Sequence, residues 1–264
     1  IPAPKPTTTK TKLILTTAPV LSRLPAASPR EPAFSDQELI HAVQRLREPL
    51  WVVRDPATQR QGLWVGADTQ GMPSRLEKIL AVPPLLPQRL GDGAFCRAHG
   101  VTFPYVAGEM ATGITTVEMV IAMARAGMLG FFGAGGLPLP TVEKALDRLS
   151  NTLDAAGLPW GVNLIHNLNE PAAEDALVDA LLLRRVRRVC ASAFLQLTPA
   201  VVRYACTGLH TDAQGRIVRT NQLVAKLSRP EIATRFASPA PAEMLAALVA
   251  QGRLTPQGAQ LAAR

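Results

Sequence analysis

From Val101 onward the chain repeats one pattern: a short apolar run, a loop of small residues, then a longer helical stretch. Phe103 to Ala107, Met128 to Phe132, Trp160 to Ile165, Val186 to Ala191 and Leu223 to Leu227 read as strands. Helices are predicted over Thr116 to Ala126, Thr141 to Ala155, Pro171 to Leu183, Pro199 to Cys206 and Pro230 to Phe236. Five βα units in a row demand a parallel sheet with right-handed crossovers, because no tight turn joins parallel strands. The fold class is α/β, either a doubly wound sheet or a (β/α)8 barrel. A barrel needs eight units, so five would leave roughly a third of the wall missing, with strand edges open on both sides.

Two features interrupt the repeat. Asp212-Ala213-Gln214-Gly215, inside Leu209 to Val218, is a hairpin signal. The stretch Ala242 to Ala263 reads as two short helices split by Thr255-Pro256. Residues 101–264 are thus expected to form the first part of a barrel, with a helical insertion at 240–264.

The first hundred residues have a different texture. Residues 1–35 are rich in Pro, Thr and Ala without apolar periodicity, and are expected to be a disordered linker, since they cannot bury enough surface to offset their ordering entropy. Residues 36–100 are expected to form a small N-terminal α+β cap. Within it, Ser35 caps a helix over Asp36 to Arg47, and Leu50 to Val53 with Gly62 to Val65 form a hairpin. A weak helix is predicted over Arg75 to Ala81. The chain starts at Ile1 and stops in mid-pattern at Arg264, so it is expected to be a piece of a longer polypeptide.

Composition removes several function classes. An apolar content of 47% excludes a wholly disordered chain. Cys96, Cys190 and Cys206 are too few and scattered for a disulfide scaffold, and fit a reducing cytoplasm. No run approaches the roughly eighteen apolar residues of a membrane span, and no signal peptide is legible. The formal charge of +8 raises the question of nucleic acid. The excess, however, sits partly at Lys5, Lys10, Lys12, Arg23 and Arg30, and partly in the cluster Arg184, Arg185, Arg187 and Arg188. Neither zinc-finger spacing nor an RNP-like aromatic motif accompanies it, so solvated surface arginines are the better reading.

In both α/β architectures sites sit at the carboxyl ends of the strands. Here those ends carry Gly108-Glu109-Met110-Ala111, then Gly133-Ala134-Gly135-Gly136, then Asn163 with His166, then Ala191-Ser192, then Lys226. Small residues at successive strand ends let a flat ligand lie against backbone, as an isoalloxazine ring requires. Asn163 offers a donor and an acceptor, and Lys226 a cation. Blander readings stand beside these. The glycines can be tight turns, His166 a satisfied structural histidine, Met110 core filling, and Lys226 a partner for Glu109 or a surface residue.

The stretches YVAGEMATGITT (Tyr105 to Thr116), AGMLGFFGAGG (Ala126 to Gly136), GVNLIHNLNEP (Gly161 to Pro171), VCASAF (Val189 to Phe194) and AKLSR (Ala225 to Arg229) together resemble the PfaD-type trans-acting enoyl reductases. These belong to the nitronate-monooxygenase-like FMN flavoproteins. The resemblance covers about residues 45–264. It implies an FMN-type TIM barrel, here incomplete at about five of eight units, and reduction of carrier-bound enoyl thioesters in polyketide or polyunsaturated fatty acid synthesis. It further implies NADPH or NADH as reductant and an acyl carrier protein as partner, with a homodimer left open. Gly108, Met110, Ala111, Gly135, Gly136, Asn163, Ala191, Ser192 and Lys226 would bind FMN, and His166 is the candidate catalytic residue. Glu109 departs from the small residue expected there. The family's Gly-Gly-His segment and its phosphate loops, which follow later strands, have no counterpart here. The arginine cluster at 184–188 is a candidate docking face for an acidic carrier. The alternatives are a nitronate-oxidising enzyme, which would need no carrier, and a catalytically incompetent fragment or docking module.

Overall fold

A computed structural model describes residues 31–66 and 71–264. Residues 1–30 of the expected linker lie outside the described residues. The chain divides into two compact units, the first ending at Leu86 and the second starting at Pro87.

The first unit holds α1 (Asp36–Gln44), β1 (Leu50–Arg54), β2 (Gln61–Val65) and β3 (Glu77–Val82). The Ser35 hydroxyl accepts from the Glu38 amide while the Glu38 carboxylate accepts from the Ser35 amide, a reciprocal cap. The β1–β2 hairpin forms as expected, with Trp51 opposite Trp64. The helix expected over Arg75 to Ala81 does not form. Those residues belong largely to β3, antiparallel to the other edge of β1. Glu, Lys, Leu and Ala favour helix locally, but β1 offers a row of backbone groups that only a strand can satisfy. The Lys78 ammonium lies 5.7 Å from the centre of the Trp51 ring and so supports the pairing.

The second unit opens with α2 (Gly93–His99), which periodicity did not reveal. There follow β4 (Val106–Ala107), α3 (Val117–Arg125), β5 (Leu129–Phe132), α4 (Leu139–Leu153), β6 (Gly161–Ile165), α5 (Pro171–Leu183), β7 (Arg188–Ser192) and α6 (Pro199–Cys206). The predicted hairpin appears as β8 (His210–Thr211) and β9 (Ile217–Val218). The fifth strand of the sheet is β10 (Gln222–Ala225), followed by α7 (Pro230–Ala237), α8 (Ala242–Ala250) and α9 (Pro256–Ala262).

The five-stranded sheet runs β10-β7-β6-β5-β4, every pair parallel. Spatial order equals chain order with no reversal. A doubly wound sheet reverses at a switch point, so this is the wall of a barrel-type sheet. Two strands start two or more residues later than expected, and the fifth ends two residues early, at Ala225. The first is only Val106–Ala107, because Pro104 has no amide to give and Thr102 and Phe103 both spend theirs on the Gly127 carbonyl. The fourth starts at Arg188 and not at Val186. Arg185 takes φ +54°, its amide reaches the Leu182 carbonyl, and the Val186 amide reaches Leu181. This is a Schellman ending, in which the buried Val186 serves helix α5 and not the strand.

Alternation along the strands separates two cores. Val162, Leu164, Val189 and Ala191 face the helices, packing with Leu146, Leu149, Val178, Leu181 and Val201. Leu129, Phe131, Cys190 and Val224 face the other way, against Phe95 and Cys96 of α2. Arg188 donates to the His99 carbonyl at 3.0 Å, and the Gln222 amide donates to Ala98 at 3.1 Å. These are the first residues of β7 and β10, so α2 stoppers the amino-terminal end of the curled sheet. On the outside, buried Arg203 bonds Asp179 at 2.5 Å, and Arg253 bonds Asp175 at 2.6 Å, tying α5, α6 and the α8–α9 turn together.

Gly161 is where β6 passes closest to its neighbours. A Cβ there would lie 2.4 Å from Phe131 ring carbons and 2.9 Å from the Arg188 carbonyl oxygen. Gly161→Ala is therefore expected to destabilise the chain by about 1–3 kcal/mol through overpacking. Urea denaturation measures this, and an unchanged midpoint would reject the packing argument.

Candidate active site

The loop after β4 is organised by Thr115, which is fully buried. Its hydroxyl donates to the Gly108 carbonyl at 2.6 Å and accepts from the Met110 amide at 2.8 Å. The loop then locks onto the one after β5 through backbone alone: Gly133 to Thr115, Thr112 to Gly135 and Gly113 to Gly133. Gly133 has to be glycine here, since a Cβ would stand 1.8 Å from the Met110 carbonyl oxygen. At Gly135 a Cβ would come within 2.2 Å of Ile165 and 3.1 Å of the Asn163 Oδ1. A Cβ on Gly108 would meet nothing within 4 Å, so the surface beside it is open. Met110 is about half exposed and is not core filling. Gly136, with φ +77°, turns the chain toward α4.

Asn163 sits on the inner face of β6 with no exposed surface. Its Nδ2 donates to the Ser192 hydroxyl at 2.9 Å and to the Cys190 carbonyl at 3.3 Å. Its Oδ1 is buried and has no partner among the described residues. Ser192 therefore lies on the site side. Ala191, the neighbouring candidate, turns its methyl into the helix-side core, and only its carbonyl serves the site, accepting from the Lys226 amide at 2.9 Å.

Glu109 and Lys226 form an ion pair. They follow β4 and β10, the two edge strands of the sheet, so the pair reaches across the concave mouth from one edge to the other. The Glu109 side chain is 3% exposed and that of Lys226 59%. The hydrogen bond to Glu109 holds the Lys226 ammonium above its ordinary pKa. Cys190, inward-facing on β7, lies beneath them. Burial first, and then the charge and hydrogen bond of Glu109, push its thiol up to about 12, against a smaller pull from Lys226.

His166 is brought into a different cluster. Its Nδ1 lies 2.8 Å from Glu174 Oε2, and the Thr198 hydroxyl donates to the other carboxylate oxygen. The imidazole stacks on Phe194 with centroids 5.0 Å apart. Its Nε2 is buried without a partner among the described residues. No hydrogen bond or ion pair among the described residues joins His166 to Glu109, Lys226 or the Asn163 side chain. Glu174 and Thr198 were not singled out from sequence. Thr198 was legible only as a helix cap before Pro199, and Glu174 carried no signal at all.

The arginine cluster does not make a docking face beside this site. Arg184 is neutralised by Asp147 at 2.6 Å and Glu143 at 3.4 Å, Arg187 turns to Asn221, and Arg188 enters the sheet's inner face. All four residues lie at the amino-terminal end of β7, opposite the mouth. A cavity of about 520 Å3 lies on the helix-facing side of β10, lined by Val202, Cys206, Arg219, Leu223, Ala225 and Phe236; it is separate from the mouth. Among the described residues no group of three or more His, Cys, Asp or Glu is placed to hold a metal ion, and no helix is long and apolar enough to cross a membrane.

No protein-family model matches the chain. The chain is 42% identical over 174 residues to the polyketide biosynthesis protein PksE of Bacillus subtilis, covering 66% of this chain and 23% of that protein. It is 37% identical over 240 residues to a polyunsaturated fatty acid synthase component of a Thraustochytrium species, covering 91% of this chain and 15% of the relative. The chain thus spans less than a quarter of the length of these curated relatives. Among solved structures it matches the enoyl reductase domain of MlnA, from the macrolactin biosynthesis cluster of Bacillus amyloliquefaciens, with TM-score 0.64 and 36% identity. That match covers 66% of this chain and 40% of the other. The resemblance read from the motifs is borne out.

Two measurements test this geometry. Thr115→Val leaves the Met110 amide and Gly108 carbonyl without their shared partner, with an expected loss of about 1–3 kcal/mol. Faster hydrogen exchange at the Met110 amide would accompany the loss, and unchanged exchange would count against Thr115 as the organiser. The Cys190 thiol, at about 12 against an ordinary 9.0, contributes stability below pH 9 that is lost as pH rises toward 12. Cys190→Ala is expected to lose less stability than the parent over that window in pH-dependent urea melts.

Proposed function

The chain belongs with the PfaD-type enoyl reductases, and we propose that it carries part of an FMN-dependent enoyl reductase acting on carrier-bound enoyl thioesters. The polyketide and polyunsaturated-fatty-acid relatives and the enoyl reductase neighbour support the reaction class. An acyl carrier protein as substrate donor and a cytoplasmic setting go with this reading, as does action in trans on a synthase.

The observation that carries the cofactor reading is the orphaned Asn163 Oδ1 at a mouth walled by glycines. A buried acceptor without a donor costs free energy until something supplies one. The edge of an isoalloxazine ring offers one N–H flanked by two carbonyl oxygens, which suits a single amide oxygen beside a lysine ammonium. The residues present therefore fit the ring edge. Asn163 would accept from it, Lys226 would donate to it, and Gly108, Met110 and Ala111 would lie along its face. The phosphate has no site that these residues supply.

When bound, FMN would supply the hydride chemistry between a nicotinamide, NADPH or NADH, and the enoyl β-carbon. The chain's own residues have other tasks. Asn163, fixed by Ser192 and the Cys190 carbonyl, orients the ring without having to reorganise. The loops after β4 and β5, locked to each other through Gly133 and Gly135, form one wall of the mouth. His166 acts as a positioning residue. With Nδ1 hydrogen-bonded to Glu174 and its backbone amide on the Ser192 carbonyl at 3.0 Å, it fixes the loop after β6.

Asn163→Ala is expected to weaken FMN binding at least about tenfold, the loss of one hydrogen bond to a buried acceptor. Flavin fluorescence quenching measures it. Nicotinamide-dependent reduction of a crotonyl-carrier thioester then tests the activity of the parent enzyme. Equal FMN affinity in both proteins would remove Asn163 from the site.

A further inference from the structure

We propose that the cavity outside β10 is a second ligand site, which takes an aliphatic chain ending in a carboxylate. The inference goes beyond the flavin reading and does not rest on it, because the cavity lies on the helix-facing side of β10 and apart from the mouth. Its volume of about 520 Å3 falls within the roughly 300–1,000 Å3 typical of small-molecule sites. A second hollow of about 430 Å3 adjoins it, since Leu197, Arg235, Ser238 and Pro239 line both. The two form one groove between α6, α7 and the start of α8.

The walls select the ligand. Val202 of α6, Leu223 of β10, Phe236 of α7 and Leu261 of α9 give the larger hollow apolar surface from four elements. Phe236 stands edge-on to Phe194 with ring centres 5.9 Å apart, so that wall has a fixed place. Charge narrows the choice further. Arg219, before β10, and Arg235, in the last turn of α7, line the groove, and neither makes an ion pair or a side-chain hydrogen bond among the described residues. Arginines on the surrounding elements are matched: Arg203 by Asp179, Arg253 by Asp175 and Arg216 by Asp212. Among the described residues no Asp or Glu lines either hollow. Apolar walls with unmatched cations and no carboxylate are complementary to an anion with an apolar body, and they repel a cation. Arg235 stands where the two hollows meet, and its planar guanidinium can hold a carboxylate through two parallel N–H donors. It is therefore the residue assigned to the head group, with Arg219 adding its charge and the apolar walls taking the chain.

The test is calorimetric titration of the full chain at neutral pH with hexanoate, octanoate and decanoate. Octan-1-ol and octyltrimethylammonium serve as neutral and cationic controls. One equivalent of acid is expected to bind, with affinity rising by up to about fourfold per added methylene. Both controls are expected to bind at least about fivefold more weakly than octanoate. Arg235→Gln should weaken decanoate by a similar factor and leave octan-1-ol unchanged. Ala237→Trp, at an exposed position of the wall, should block decanoate sterically and tests the place of the site independently of charge. Both altered residues are exposed, and circular dichroism checks that each variant keeps the parent fold. Decanoate affinity unchanged in either folded variant overturns the proposal. So do equal affinity for octanoate and octan-1-ol, uptake of many equivalents, and absence of decanoate binding by the parent. None of these outcomes touches the flavin reading, which the Asn163→Ala titration decides.

Discussion

Five parallel strands joined in sequence offer one face to their crossover helices and the other to the space the sheet curls around. Both faces need covering, and they are covered by different chemistry. The outer face takes the aliphatic stripe of α3 to α6, with Leu146, Leu149, Leu181 and Val201 buried against it. The inner face is filled in layers. Phe95 and Cys96 of α2 lie at the bottom with Leu129 and Phe131, Asn163 comes level with Cys190 and Val224, and Ser192, Glu109 and Lys226 follow at the carboxyl end. The change from apolar to polar along one axis is what makes the carboxyl end of the sheet the candidate site.

Much of this was legible because the βα repeat fixes the phase of every strand. Once Asn163 falls on the inner face, Ser192 and Lys226 follow from alternation and parallel pairing. The same alternation places Ala191 on the outer face, which a reading of motif neighbours alone passes over. The hairpin at residues 209–218 and the split helices near the end were marked by their own turn and cap residues, so they too were readable.

What sequence did not disclose has physical causes. Helix α2 is seven residues long, and its Phe95 and Cys96 are too few to make a period. Its caps, Asp92 and Gly100, were the only signal. Strand β3 mixes helix-favouring Glu77, Lys78, Leu80 and Ala81 with β-branched Ile79 and Val82, and it pairs where the neighbouring edge of β1 offers partners. The clamp on His166 brings together residues eight and thirty-two positions away, and no local pattern encodes such a meeting. The Arg184 to Arg188 run looks like one patch in a linear string. Folded, it becomes a surface ion pair, a left-handed helix terminus, a contact to Asn221 and a buried hydrogen bond to α2.

The seat of α2 also bears on traffic. With Phe95, His99 and Arg188 closing the amino-terminal end, the inner face of the curled sheet is shut from that side, and a molecule that meets Asn163 comes from the carboxyl side of the strands or past an open sheet edge.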